Sequence, residues 1–149
     1  MSEPKGDGVK LKLAIKPLAS IAEITPAQWQ SIHSAPQPMT KPAFFNALEV
    51  SGSVCKESGW EPYHLGFYRG DLLVGLLPTY RKTHSYGEYV FDWAWADAYY
   101  QHGIPYYPKL LSAVPFTPVP GARLLCRNKT GHPLFLSHSF KALHAAYLL

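Results

Sequence analysis

Only two cysteines occur among the 149 residues, Cys55 and Cys126, far apart and outside any C-x-x-C pair. That pattern suits neither a disulfide framework nor a cysteine-built metal site, and two reduced structural thiols are expected. Long apolar runs are missing as well, since none approaches the roughly 20 residues that cross a bilayer. Where a secretory signal needs an apolar core, the N-terminal region carries Glu3, Lys5, Asp7, Lys10, Lys12 and Lys16, so a cytoplasmic location is expected. Charge is sparse, at 16% of residues, and of the basic residues behind the formal net charge of +4 only Arg81-Lys82 and Arg127 with Lys129 cluster. Clusters that small do not make a nucleic-acid surface, and no DNA partner is expected. His64, His102, His132, His138 and His144 lack a matched spacing with Cys or acidic ligands, so no metal is expected. No G-x-S-x-G elbow is present, and His84 beside Ser85 does not make a triad.

What is present fits one globular domain. At this length about 68–70% of the unfolded surface can be buried, and the hydrophobic share is 47%. A loose tail over residues 1–9 and a single domain over 10–149 are expected. Val9, Leu11, Leu13 and Ile15 alternate with Lys10, Lys12 and Ala14, the period of a half-buried strand. Thr25-Pro26 opens a short helix with Trp29, Ile32 and His33 on one face, and Ser34 to Lys41 reads as a linker. A second helix starts near Pro42, buries Phe44, Phe45, Leu48 and Val50, and stops at Gly52. Tyr63–Tyr68 and Leu72–Tyr80 around Arg69-Gly70-Asp71 form a hairpin. Asp92–His102 reads as a helix with Asp92 as N-cap and Gly103 as stop. Lys109–Val114 and Ala122–Cys126 are short strands around a proline-rich loop, and a final helix starts near Ser137 or Ser139 with no cap or polar tail. The fold class is α/β (α+β): a mixed, mostly antiparallel sheet with short helices.

The densest chemistry lies between His84 and Arg123. Glu88 and Asp92 sit among aromatic rings, with Asp97 about one helical turn later. Burying an unpaired carboxylate is expensive, so these acids must be paired, hydrated or in use. The segments HSYGEYVFDWAWADAY and YYPKLLSAVPFTPVPGARLL, with the milder match GSVCKESGWEPYHLGFYRGDLLVGLLPTYRK, closely resemble a bacterial family of proteins related to FemAB-type peptidoglycan acyltransferases and the GNAT acetyltransferase superfamily. The resemblance covers most of residues 41–125. It implies a GNAT-like lobe, corresponding to the N-terminal part of longer relatives, and transfer of an acyl or aminoacyl group to an amine on a cell-wall precursor.

Such a transfer needs a base for the amine, donors for the oxyanion and a cradle for the donor's phosphates. The cradle pattern of that superfamily, Gln or Arg, two residues, Gly, one residue, then Gly or Ala, has no instance here. Arg127-Asn-Lys-Thr-Gly-His132 has the wrong spacing. No cofactor is therefore expected within the chain, although acyl-CoA or aminoacyl-tRNA is the implied donor. Under the resemblance Glu88 and Asp97 are the candidate catalytic residues. Their alternative is a role as caps or as partners of Arg81, Lys82, Lys109 and Arg123. Tyr86, Trp93 and Tyr107 are candidate pocket walls, against ordinary core packing. Lys109 and Arg123 are candidates to hold an anionic group, and Thr117 to offer a hydroxyl contact or only a turn hydrogen bond. The rival expectation is a non-catalytic module that recognises a substrate or partner, with self-association through the final helix.

Overall fold

The computed structural model describes residues 12–32, 37–89 and 91–127, and places positions 137 and 141 in helical conformation. The expected tail, Val9 and Leu11 of the first strand, His33, residues 128–132 and, apart from those two positions, the final helix with His138 and His144 lie outside the described residues. So does the surface through which self-association was expected.

The α/β class is as expected. The elements in order are β1 (Leu13–Leu18), α1 (Pro26–Ile32), α2 (Pro42–Val50), β2 (Trp60–Pro62), β3 (His64–Arg69), β4 (Leu72–Leu77), β5 (Tyr80–Lys82), α3 (Trp93–Gln101) and β6 (Lys109–Leu111), with 3-10 turns at Ile21–Glu23 and Pro38–Thr40. They make two three-stranded antiparallel sheets, ordered β1-β3-β4 and β2-β5-β6. No described helix is long and apolar enough to cross a membrane.

Both sheets grow from one bent hairpin. Gly70 adopts a φ of +62°, which lets Arg69-Gly70-Asp71 reverse the chain between β3 and β4. Leu72 to Tyr80 does not run as one strand, however. Pro78 has no amide proton for a ladder, so pairing breaks at Pro78-Thr79 and the chain re-enters the second sheet as β5. The Tyr63 amide donates to the Thr79 carbonyl at 2.9 Å and bridges the two halves. Of the expected strand Ala122–Cys126 only Leu125 pairs, with Leu76 of β4.

One face of the first sheet packs Tyr68, Leu73 and Leu76 against Trp29 and Ile32 of α1 and Phe45 of α2. Proline at the first turn suits both helices, because its missing amide proton has no partner there anyway. Thr25 Oγ1 accepts from the Gln28 amide and Gln28 Oε1 from the Thr25 amide, a reciprocal cap. Val50, expected on the buried side of α2, is 78% exposed because it is the last residue of the helix. The other sheet face gathers Leu65, Phe67, Leu77, Leu124 and Cys126.

Glu49 ties these layers together. It accepts from Ser20 Oγ at 2.6 Å, the Ile21 amide at 3.0 Å and His64 Nε2 at 3.1 Å. The Thr79 amide donates to His64 Nδ1, so that nitrogen holds a lone pair and the proton sits on Nε2, facing Glu49. Burial alone would raise the Glu49 carboxyl, but the donors His64, Ser20 and Ile21 outweigh it and hold the group below its ordinary 4.5. A carboxylate favoured by folding contributes stability that is complete above the ordinary value and is lost as pH falls through the lowered one. Glu49→Gln is expected to cost about 2 kcal/mol near neutral pH. It should also flatten the acid limb expected of the native protein below pH 4.5. Urea titrations between neutral pH and pH 3 measure both effects, and an unchanged acid limb would count against Glu49 as its source.

Candidate functional site

The second sheet carries a row of side chains that ends in charge. Its register sets Trp60 of β2 opposite Lys82 of β5, and Lys82 opposite Lys109 of β6. Side chains alternate along a strand, so Tyr80 shares this face while Arg81 points to the other, where it donates to Glu61 at 2.7 Å. Trp60, Tyr80 and Lys82 are fully buried. A lysine on the inner face of a central strand must find acceptors, and the connection after β5 supplies them. The Tyr86 carbonyl accepts from Lys82 Nζ at 2.9 Å and from Trp60 Nε1 at 3.1 Å. The same ammonium lies 3.9 Å from the centroid of the Trp60 ring. Gly87 makes this return possible: its φ is +80°, and a Cβ there would meet the Phe116 ring at 2.8 Å and Trp60 Nε1 at 2.9 Å.

Glu88 follows and joins both lysines. Its Oε2 accepts from Lys109 Nζ at 2.7 Å, while Oε1 lies 3.8 Å from Lys82 Nζ. Lys109 Nζ also donates to Asp92 Oδ2, which accepts from Tyr106 Oη at 2.6 Å, and Asp92 Oδ1 accepts from Tyr107 Oη at 3.2 Å. Two ammonium groups thus balance two carboxylates whose side chains are 9% and 11% exposed. Of the expected ways to offset burial, that the acids be paired, hydrated or in use, Glu88 and Asp92 show pairing, while Asp97 is exposed.

Burial would raise Asp92, but the hydrogen bonds from Lys109 and Tyr106 prevail and hold it at about 2. Burial and the bond to Asp92 push Tyr106 up to about 12. Lys109 is raised: burial opposes its charge, and the bonds to Asp92 and Glu88 outweigh that. Lys82 goes the other way, to about 8, because burial dominates and Glu88 only partly compensates.

One atom in this network is left over. Glu88 Oε1 is buried and has no hydrogen bond among the described residues. Glu88 also lines a cleft of about 330 Å³ with Gly87, Tyr89, Phe91 and Phe116. Phe116 holds a left-handed φ of +62°, a conformation that costs a residue with a Cβ about 1–2 kcal/mol, and so keeps its ring on Trp60 at 5.1 Å between centroids. A second groove, about 660 Å³, lies between the Ile21–Glu23 turn, α1 and α2. Among the described residues Lys41 is its only charged lining residue, and no carboxylate or histidine lines it.

Of the residues singled out from sequence, the structure brings Glu88, Lys109 and Tyr107 into one network and adds Tyr86 through its carbonyl. The Tyr86 and Trp93 rings are 67% and 59% exposed. Asp97 is exposed on α3 and does not line the cleft. Thr117 is half-buried in the proline-rich loop. Arg123 donates to the Val119 and Gly121 carbonyls and so braces that loop. Asp92 does stand at the N-cap of α3, but its side chain makes no cap hydrogen bond, because Lys109, Tyr106 and Tyr107 take both oxygens. Sequence reasoning named Lys82 only as one alternative partner of the acids and missed its burial, and it missed Trp60. The alternation of Tyr80 and Lys82 about Arg81 was the available signal for that burial.

Among the described residues no three His, Cys, Asp or Glu side chains could hold a metal ion. Comparison with curated proteins gave no match, and comparison with solved structures gave none either. The FemAB-like family model, described as peptidoglycan biosynthesis/recognition, matches residues 20–146. An alignment running through both sheets, α3 and the Lys82–Glu88–Lys109–Asp92 network covers most of the chain, which belongs to the FemAB-like family of peptidoglycan biosynthesis and recognition.

Proposed function

We propose that the cleft at Glu88 binds the amine acceptor of an N-acyl or aminoacyl transfer to a cell-wall precursor, within a GNAT-like lobe. The observation that carries this reading is Glu88 Oε1, a buried carboxylate oxygen with no hydrogen bond among the described residues, on a residue that lines an aromatic cleft. An ammonium group supplies the missing donors, and the rings of Tyr89, Phe91 and Phe116 cover the aliphatic arm that bears it. Glu88 then takes the amine's proton as nitrogen attacks the acyl carbon. Lys109 and Tyr107 hold the carboxylates in place. Asp97 has no part in this role. The donor in this reading is an acyl-CoA or an aminoacyl-tRNA, bound outside the cleft.

A second reading, recognition without transfer, draws on the exposed rings beside the cleft, Tyr89, Phe91 and Trp93. Both readings require the amine site, so binding is tested first. In an NMR titration a cell-wall stem peptide with a free side-chain amine should shift the amide signals of Gly87, Glu88, Tyr89 and Phe116. Acetylating that amine should weaken binding about tenfold or more, the worth of one charge-assisted hydrogen bond. Glu88→Gln should weaken binding of the free amine to the same degree. Equal binding of both peptides, or of neither, would overturn the proposal. Binding without product after acetyl-CoA or aminoacyl-tRNA is added would favour recognition alone.

A further inference from the structure

We propose that Lys82 is the proton store of this cleft, releasing a proton when an amine docks on Glu88 and taking one back through Glu88 as the amide bond forms. The inference rests on the amine site proposed above. At rest the network holds two cations, Lys82 and Lys109, against two anions, Glu88 and Asp92. A docked ammonium is a third cation in a site whose carboxylates are nine-tenths hidden, and a buried net charge is costly. One proton therefore leaves.

Geometry selects the group that loses it. Lys109 is held by two carboxylate oxygens, whereas Lys82 has a carbonyl, a ring face and Glu88 at 3.8 Å. The groups facing Lys82 are Trp60 from β2, Lys109 from β6, Tyr86 and Glu88 from the connection after β5, and Asp92 at the head of α3. Tyr106 and Tyr107 reach it through Asp92 and Lys109, and His84 meets the Tyr86 ring edge to face. Its depressed value of about 8, set by burial against the partial compensation of Glu88, agrees with this choice.

The protons then balance. The bound R–NH3+ keeps one proton in the amide and yields one to the leaving group as the acyl bond breaks. The third passes to Glu88 Oε1 and on to the neutral Lys82 amine. Lys82 acts through Glu88 and does not touch the substrate.

The test is calorimetric titration with Nα-acetyl-lysine amide near pH 7, in buffers of different ionisation enthalpy. The native chain should release close to one proton per amine bound, and release should fall away as the pH is raised above 8, the value for Lys82. Lys82→Met should bind the amine and release almost none. Binding without release, or equal release from Lys82→Met, overturns the proton store and leaves the amine site standing. Absence of any binding overturns both. The pH course needs only the native chain, so a variant that fails to fold does not spoil the test.

Discussion

Lys109→Met should lower the unfolding free energy by about 3–5 kcal/mol at neutral pH, the usual consequence of removing one partner from a buried ion pair. For a chain of this size that is a fall in Tm of roughly 10 °C or more. Methionine fills nearly the same space, so little of the loss is packing. What remains among the described residues is Asp92 and Glu88 with Lys82 as their nearby cation, and Lys82 lies 3.8 Å from the nearer Glu88 oxygen. Asp92 would keep its tyrosine donors, Tyr106 and Tyr107, and lose its charge partner. The pH dependence separates this account from a packing defect. In the native chain folding favours the Asp92 carboxylate, so its contribution is complete above the ordinary 3.8 and disappears only as pH falls toward 2. Lys109 is raised by the bonds that outweigh its burial, so its contribution is present below the ordinary 10.5 and is lost only above that. Near neutrality the native network is therefore fully formed. Without Lys109 the Asp92 carboxylate protonates more readily, and the penalty should shrink as the medium becomes acid. Melts at pH 7 and pH 4 should show a wide gap between native and variant at the first and a narrower one at the second. A loss under about 1 kcal/mol, the worth of an exposed pair, would place the network on the surface instead.

Most local structure was legible because it is set by neighbours in sequence. Pro26 and Pro42 mark the first turns of α1 and α2, Gly70 the hairpin, and Gly103 the end of α3. The alternation of Leu13 and Ile15 about Ala14 marked the start of β1, which runs on to Leu18. Pro78 was present as a warning that Leu72 to Tyr80 could not run as one strand. The division into two sheets was not visible, because it depends on the Tyr63–Thr79 bridge and on which strands then find β5.

For the site, sequence carried the acids and left the burial of one lysine unread. That Glu88 and Asp92 would need partners followed from their aromatic surroundings, and Lys109 was among those considered. Lys82 was considered as a partner too, beside its place in the small basic cluster with Arg81, but its burial was not foreseen. Only the register Trp60–Lys82–Lys109, set between strands distant in sequence, turns it inward. The rings misled in the opposite direction. Core packing was the plainer expectation for most of them, yet Tyr89, Phe91, Trp93, Trp95 and Tyr100 are exposed, and Ala96 is the buried residue of α3. Hydrophobic identity sets what a side chain prefers, and the neighbouring elements decide whether it is covered.

Trp60→Ala should cost about 4–5 kcal/mol, near the top of the range for removing a buried aromatic side chain, and should abolish amine binding in whatever fraction stays folded. The indole is 1% exposed and meets Tyr80 at 5.5 Å and Phe116 at 5.1 Å between ring centroids. Its removal leaves a cavity at the centre of the second sheet, where three short strands have few other contacts with which to collapse. It also leaves Lys82 without its ring face and the Tyr86 carbonyl without one of two donors. Trp60→Phe separates these contributions. It keeps a ring under the ammonium and under Phe116 but deletes the Nε1 donor, so a smaller loss, about 1–2 kcal/mol, is expected. Urea unfolding of the two variants measures the difference, and the stem-peptide titration reads the cleft in parallel. If alanine cost less than about 2 kcal/mol, Trp60 would be only one wall of a site held by the ion network. If phenylalanine abolished binding while staying folded, the indole N–H would be what sets the Tyr86–Glu88 return, because packing and the cation–ring contact are retained. The expected order, phenylalanine mild and alanine severe, follows from the register: the residue opposite Lys82 both buries that lysine and carries the Phe116 wall, and only a large flat ring does both.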